Sequence, residues 1–125
     1  METYTTVLTE NLNSQGTLFG GQLLMWVDKY AWMAASLDFP GKKLVTRAMD
    51  SIDFTASAPN GSILRFVIEK GRTGNTSVTY SVRVFCNVPG DPTSLPRQKG
   101  EYKIFENNIT FVAIDENGAK VPLQV

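Results

Sequence analysis

Apolar and polar positions change rhythm twice along this chain. Tyr4, Thr5, Thr6, Val7 and Leu8 favour β structure and predict a short strand over residues 4–8. A polar loop through Asn11, Asn13, Ser14 and Gly16 follows. From Gly20 to Leu37 the residues are good helix formers, and Leu23, Leu24, Met25, Trp26, Val27, Tyr30, Met33 and Ala34 place apolar groups on every side. A helix apolar all round belongs inside, wrapped by other elements. Asp38-Phe39-Pro40-Gly41 ends it, because proline cannot continue a helix and glycine suits the turn. Period-two patterning then resumes in four stretches, 44–56, 62–72, 76–88 and 101–115, which predict four long strands. Pro59-Asn60-Gly61 and Gly74-Asn75 mark turns between them, the second suited to a two-residue hairpin. Residues 89–100, PGDPTSLPRQKG, break any regular pattern.

Such an order predicts an α+β architecture over residues 1–125, one domain in which an antiparallel sheet wraps around one long central helix. Val78, Tyr80, Val82 and Val84 alternate with Thr79, Ser81, Arg83 and Phe85, a pattern read here as an exposed edge covered by a second copy. The expectation is a homodimer at minimum.

Composition narrows the function. Twelve basic residues balance twelve acidic ones, so no overall field favours nucleic acid or an anionic membrane surface. The N-terminus lacks a basic region followed by an apolar run, and Asp28 and Lys29 interrupt the helix, so neither a signal peptide nor a membrane span is expected. A single cysteine, Cys86 in an apolar β-rich run, reads as a buried thiol, and with these features points to a cytoplasmic protein. The Asn108-Ile109-Thr110 sequon, inside an expected strand, is read as incidental. Histidine is absent altogether, which excludes a Ser-His-Asp or Cys-His relay and an HExxH zinc site within the chain. Chemistry here falls to carboxylates, hydroxyls, amides and the backbone.

One carboxylate stands out. Asp28 sits mid-helix with Leu24, Met25, Ala31 and Trp32 at the neighbouring helical positions, none of them a cation. Burying an unpaired carboxylate costs several kcal/mol or more, so Asp28 needs a reason. Two readings stay open: a rim residue solvated or paired with Arg47 or Arg72, or a group facing a cleft where it holds a water molecule. Two turns upstream, Phe19-Gly20-Gly21 opens the helix. Paired glycines admit a ligand close to the backbone, and first-turn N–H groups have no intrahelical acceptor, so they suit an oxyanion; close packing or turn geometry explains the same pair.

NSQGTLFGGQLLMWVD, Asn13 to Asp28, resembles the signature of the hotdog-fold acyl-CoA thioesterases, in the YciA-like and BACH-like acyl-CoA hydrolase group. LVTRAMDSIDFTASAPNGSIL, GNTSVTYSVRVF and FVAIDENGAKVP resemble that family's later blocks, in the family's order and over most of Asn13 to Pro122. The resemblance implies that Asp28 is the catalytic carboxylate, activating water or attacking the thioester carbonyl directly. It implies that Gly20, with Gly21, polarises that carbonyl through backbone amide, and that Asn13 orients the thioester or the water. It also implies a site shared between subunits, Asp28 of one working with Asn13 and Gly20 of the other, in a dimer or a trimer of dimers. Gly74, Asn75, Thr76 and Ser77 match a segment lying near coenzyme A, although the residues by themselves favour a plain hairpin turn. GRTGNT lacks the spacing and lysine of a P-loop. Arg47 and Arg72 could meet coenzyme A phosphates or remain solvated strand residues.

The chain departs from the pattern in residues 89–100, in Thr17 where certain relatives carry asparagine, and in Trp32, large beside the presumed catalytic face. The function implied is hydrolysis of an acyl-CoA to a carboxylic acid and free coenzyme A, with no metal or redox cofactor and coenzyme A entering as part of the substrate. Two alternatives stand beside it: a non-catalytic acyl-CoA binding or sensing module, and an acyl-thioester hydratase or dehydratase.

Overall fold

Phe19 is the N-cap of the helix and offers no side-chain cap; Gln22 and Leu23 both donate backbone N–H bonds to its carbonyl, at 3.0 and 3.1 Å. In this computed structural model, which describes residues 1–95 and 100–124, the helix α1 runs Gly20–Asp38. It ends where Phe39 N–H bonds to the Ala35 carbonyl and Gly41 turns the chain at φ +82°. Around it are β1 (Glu2–Thr6), β2 (Lys43–Met49), β3 (Ile63–Thr73), β4 (Ser77–Asn87) and β5 (Tyr102–Ile114), with a short 3-10 turn at Thr9–Asn11. They form one antiparallel sheet in the order β1-β3-β4-β5-β2. Register shifts at Thr46/Ala48, Lys70/Thr73 and Val84/Phe85 add twist, and the sheet curls around the helix.

The helix buries one stripe. Leu23, Trp26, Val27, Ala31, Ala34 and Ala35 recur at helical spacing and meet the inner residues of the sheet, among them Val78, Tyr80, Val82 and Val84. Tyr80 is nearly fully buried and donates its hydroxyl to Asp38 Oδ2 at 2.6 Å, tying the last turn of α1 to β4. Burial, and then that bond, push the Tyr80 hydroxyl far above the usual phenol range.

Four expectations need correcting. The helix is not wrapped on all sides: Met25 (55% exposed) and Trp32 (45%) share an open side with Lys29, and Leu37 (75%) is exposed near the helix end. The β4 segment is not an edge, because β3 and β5 flank it, and its alternation divides an inner face from an outer one; the edges are β1 and β2. The strand expected over 44–56 ends at Met49. From Asp50 the chain leaves the sheet, bonded through Asp50 N–H to Asn107 Oδ1 (2.9 Å) and Thr55 N–H to the Ile104 carbonyl (3.2 Å). The first strand lies at Glu2–Thr6, although Val7 still pairs with Ser62 through its N–H (2.9 Å).

Other expectations hold. Cys86 is buried and free, Asn108 lies within β5, and Gly61 takes the left-handed φ of +83° that its turn requires. Of the irregular connection 89–100, residues 96–99 lie outside the described residues. No helix among the described residues is long and apolar enough to cross a membrane.

On the outer face, Arg65 pins the start of β5. It donates from Nε to Glu101 Oε2 (3.0 Å), from Nη2 to Glu101 Oε1 (2.9 Å) and from Nη1 to Glu2 Oε1 (2.7 Å), and lies 4.7 Å from the Phe85 ring centre. The Glu101 bonds lift the guanidinium above its ordinary pKa. With both side chains about nine-tenths buried, removing Glu101 leaves the guanidinium only the half-exposed Glu2 as an ionic partner. Glu101→Ala should therefore cost about 3 kcal/mol in urea unfolding, and Arg65→Met/Glu101→Leu should recover most of the loss.

Candidate active site

Two parts of a site lie at separate places. The first is the start of α1. Asn13 closes a tight turn in which its Oδ1 accepts from Gln15 N–H (2.9 Å) and Thr17 N–H (3.2 Å), its Nδ2 donates to Thr17 Oγ1 (3.1 Å), and Gly16 adopts φ +79°. That turn brings Asn13, Thr17 and Gly20 to the lining of a cleft of about 300 Å³, shared with Leu18, Leu23, Phe54, Ala56, Ser57, Ala58 and Ile104. Gly20 and Gly21 are in the first turn, so their N–H groups lack intrahelical acceptors and carry the positive end of the helix dipole. Aromatic rings crowd both positions. A Cβ on Gly20 would stand 3.0 Å from Phe54 Cζ, and one on Gly21 would stand 2.8 Å from Phe19 Cε2.

The second part is Asp28. Its carboxylate is half-buried and Oδ1 accepts a 2.5 Å hydrogen bond from the Thr46 hydroxyl on β2. Asp28 does not pair with Arg47 or Arg72: neither arginine forms an ion pair among the described residues, and both are exposed on their strands. One turn onward, Trp32 Nε1 donates to the Leu44 carbonyl (3.1 Å), so β2 fixes both Asp28 and the indole.

These two parts do not meet within one chain. Eight residues of α1 separate Gly20 from Asp28, about 12 Å along the axis, and Asp28 does not line the cleft. Asp28 lies instead toward the other end of the sheet, since Thr46 pairs with Phe111 and Phe111 with Val78. Gly74, Asn75, Thr76 and Ser77 are at that end too, as the β3–β4 hairpin. Gly74 N–H bonds to the Ser77 carbonyl (2.7 Å), while the Thr76 and Asn75 carbonyls accept from Ala113 (2.9 Å) and Leu123 (3.0 Å). The hairpin reading is thus realised, with Asn75 exposed at the tip.

Sequence reasoning passed over two residues. Thr46 stands 18 residues from Asp28 and on another element, with no spacing signal to join them. Phe54 was read as part of a strand. Its partner is the Phe105 ring, stacked at 5.6 Å, and its edge covers Gly20.

A family model described as the thioesterase superfamily matches residues 15–92. The chain is 33% identical over 112 residues to the uncharacterized acyl-CoA thioester hydrolase YkhA of Bacillus subtilis, covering 89% of this chain and 60% of that protein. It thus spans less than two thirds of that relative's length. Among solved structures, a hexameric acyl-CoA thioesterase in its apo form is 32% identical with TM-score 0.82, covering 98% of this chain and 73% of that one. HI0827, described as a hexameric broad specificity acyl-coenzyme A thioesterase, superposes with TM-score 0.85 over 98% of this chain and 80% of its own; at 22% identity it speaks for the hotdog fold alone. With more than half its length matched, in a fold where one helix is held in a curled five-stranded sheet, the chain belongs to the thioesterase superfamily.

Proposed function

We propose that this protein hydrolyses acyl-CoA thioesters at a site shared by two copies of the chain, Asp28 of one acting with Gly20 and Asn13 of the other. One observation carries the proposal: among the described residues Asp28 has the Thr46 hydroxyl and no cation as its partner, and it borders the exposed side of α1 that carries Met25 and Trp32. A second α1 laid against that face covers Met25 and Trp32 and brings the free amides of one helix start toward the carboxylate of the other. The relatives described as acyl-CoA thioester hydrolases and thioesterases support the substrate class, and those described as hexameric support an assembly of three such dimers.

Asp28 takes a proton from water as the oxygen attacks the thioester carbonyl carbon. Negative charge collects on the carbonyl oxygen, where the partner's Gly20 N–H, with Gly21 beside it, stabilises it at the positive end of the helix. Collapse breaks the C–S bond, and the departing thiolate takes up the proton, leaving a carboxylic acid and free coenzyme A. The Asn13 oxygen is engaged in its own turn, so this side chain orients substrate through the remaining hydrogen of Nδ2. Arg47 directly follows Thr46 and offers coenzyme A phosphates a guanidinium, with Arg72 and the Gly74–Ser77 hairpin as the further surface at that end.

Thiol release from a panel of short, medium and long acyl-CoA esters tests this reading. Hydrolysis frees a thiol; binding alone or hydration of the acyl chain frees none. Thr46→Val should lower kcat about ten- to hundredfold, the worth of a hydrogen bond to a charged group, whereas Thr46→Ser should retain most of the rate.

A further inference from the structure

We infer that the cleft beside Gly20 receives the acyl group of the substrate, that Phe54 limits its depth, and that the enzyme therefore prefers short acyl chains. This rests on the proposed site, because it takes the Gly20 amide as the group facing the thioester carbonyl. The Phe54 ring covers the Gly20 backbone closely enough that an added Cβ would fall 3.0 and 3.1 Å from two of its carbons. Gly20 and Phe54 also line one cleft, so a carbonyl oxygen held by that amide has a substituent within reach of the ring. One substituent is the pantetheine arm, which carries amides that need hydrogen-bond partners; the other is the hydrocarbon. The cleft is lined mainly by the apolar Leu18, Leu23, Phe54, Ala56, Ala58 and Ile104, with Asn13, Thr17 and Ser57 as its polar side chains. Placing the amide-bearing arm against the six apolar side chains would leave it short of partners, whereas the hydrocarbon loses nothing but water.

Size sets the chain length. About 300 Å³ is at the small end of ligand pockets, which run from roughly 300 to 1,000 Å³. Phe54 is braced by the Phe105 ring stacked at 5.6 Å, so the wall resists being pushed aside by a longer chain. Each methylene the cleft accepts should raise kcat/KM about fourfold, the ~0.8 kcal/mol of one buried CH2 group, and the gain should stop once the chain reaches the ring.

The experiment compares kcat/KM over acetyl- to palmitoyl-CoA for wild type, Phe54→Ala, Ala56→Phe and Trp32→Ala, with calorimetric affinities for non-hydrolysable acyl-CoA thioethers of the same lengths. Phe54 and Ala56 are both exposed in the single chain, and circular dichroism melts establish that each variant is folded. The expected result is an optimum at short chains, moved to longer ones by Phe54→Ala, to shorter ones by Ala56→Phe, and unmoved by Trp32→Ala. A shift caused by Trp32→Ala but not by Phe54→Ala would run the acyl chain along the open helix face and overturn the inference. So would an equal loss at every chain length in Phe54→Ala. If the thioethers reproduce the expected shifts while no ester is turned over, the acyl cleft stands and the hydrolase reading falls.

Discussion

Asp28→Asn lowers kcat/KM for acyl-CoA hydrolysis by about 10²–10⁴-fold, the usual contribution of a positioned general base, and leaves folding stability within about 0.5 kcal/mol. Both halves follow from the same bond. An asparagine Oδ1 still accepts from the Thr46 hydroxyl, so the link between α1 and β2 survives, while the group that takes the proton from water is gone. Asp28→Ala would be a poorer test, since it removes the proton acceptor and the link together. Thiol release with a saturating ester, set beside a urea titration of the same preparation, measures the two effects separately. Unimpaired hydrolysis by Asp28→Asn would remove the carboxylate from the mechanism.

Different physical signals account for what was legible in the sequence. The helix was readable almost to the residue, because glycines and a proline punctuate it and its propensities agree with its burial. Burial itself was misread in part. Apolar residues on all sides of α1 were assigned to one chain's interior, but Met25, Trp32 and Leu37 remain open, a pattern that serves an interface as well as a core. The same ambiguity misplaced the 50–56 segment: Ile52, Phe54 and Ala56 alternate like a strand, yet their chain crosses toward the start of the helix, and Phe54 serves the cleft there. Strand order is not encoded in alternation at all, so β4 passed for an edge while it is flanked on both sides. Asp28 and Gly20 were visible as anomalies, a charge and a glycine pair in an apolar helix. Thr46 was not, because a threonine in a β-rich stretch is what any strand would contain.

Mixing two inactive variants should restore activity if the site is composite. Gly20→Val crowds the helix start, where even a single added carbon already meets the Phe54 ring, and so blocks the amide proposed to hold the carbonyl. Asp28→Asn removes the base. Each homodimer then has two damaged sites. In a mixed dimer the geometry sorts the damage: one site receives both substitutions, and the other combines the intact Asp28 of one chain with the intact Gly20 of its neighbour. Random pairing at equal expression makes half the dimers mixed, each with one working site of two, so co-expression should yield about one quarter of the wild-type rate from parents that have almost none. The fraction is the same whether the dimers stay separate or assemble further. A site built within a single chain predicts only the average of the two parents. Within one chain Gly20 and Asp28 stand about 12 Å apart along α1 and Asp28 does not line the cleft beside Gly20, so the first outcome is the expected one.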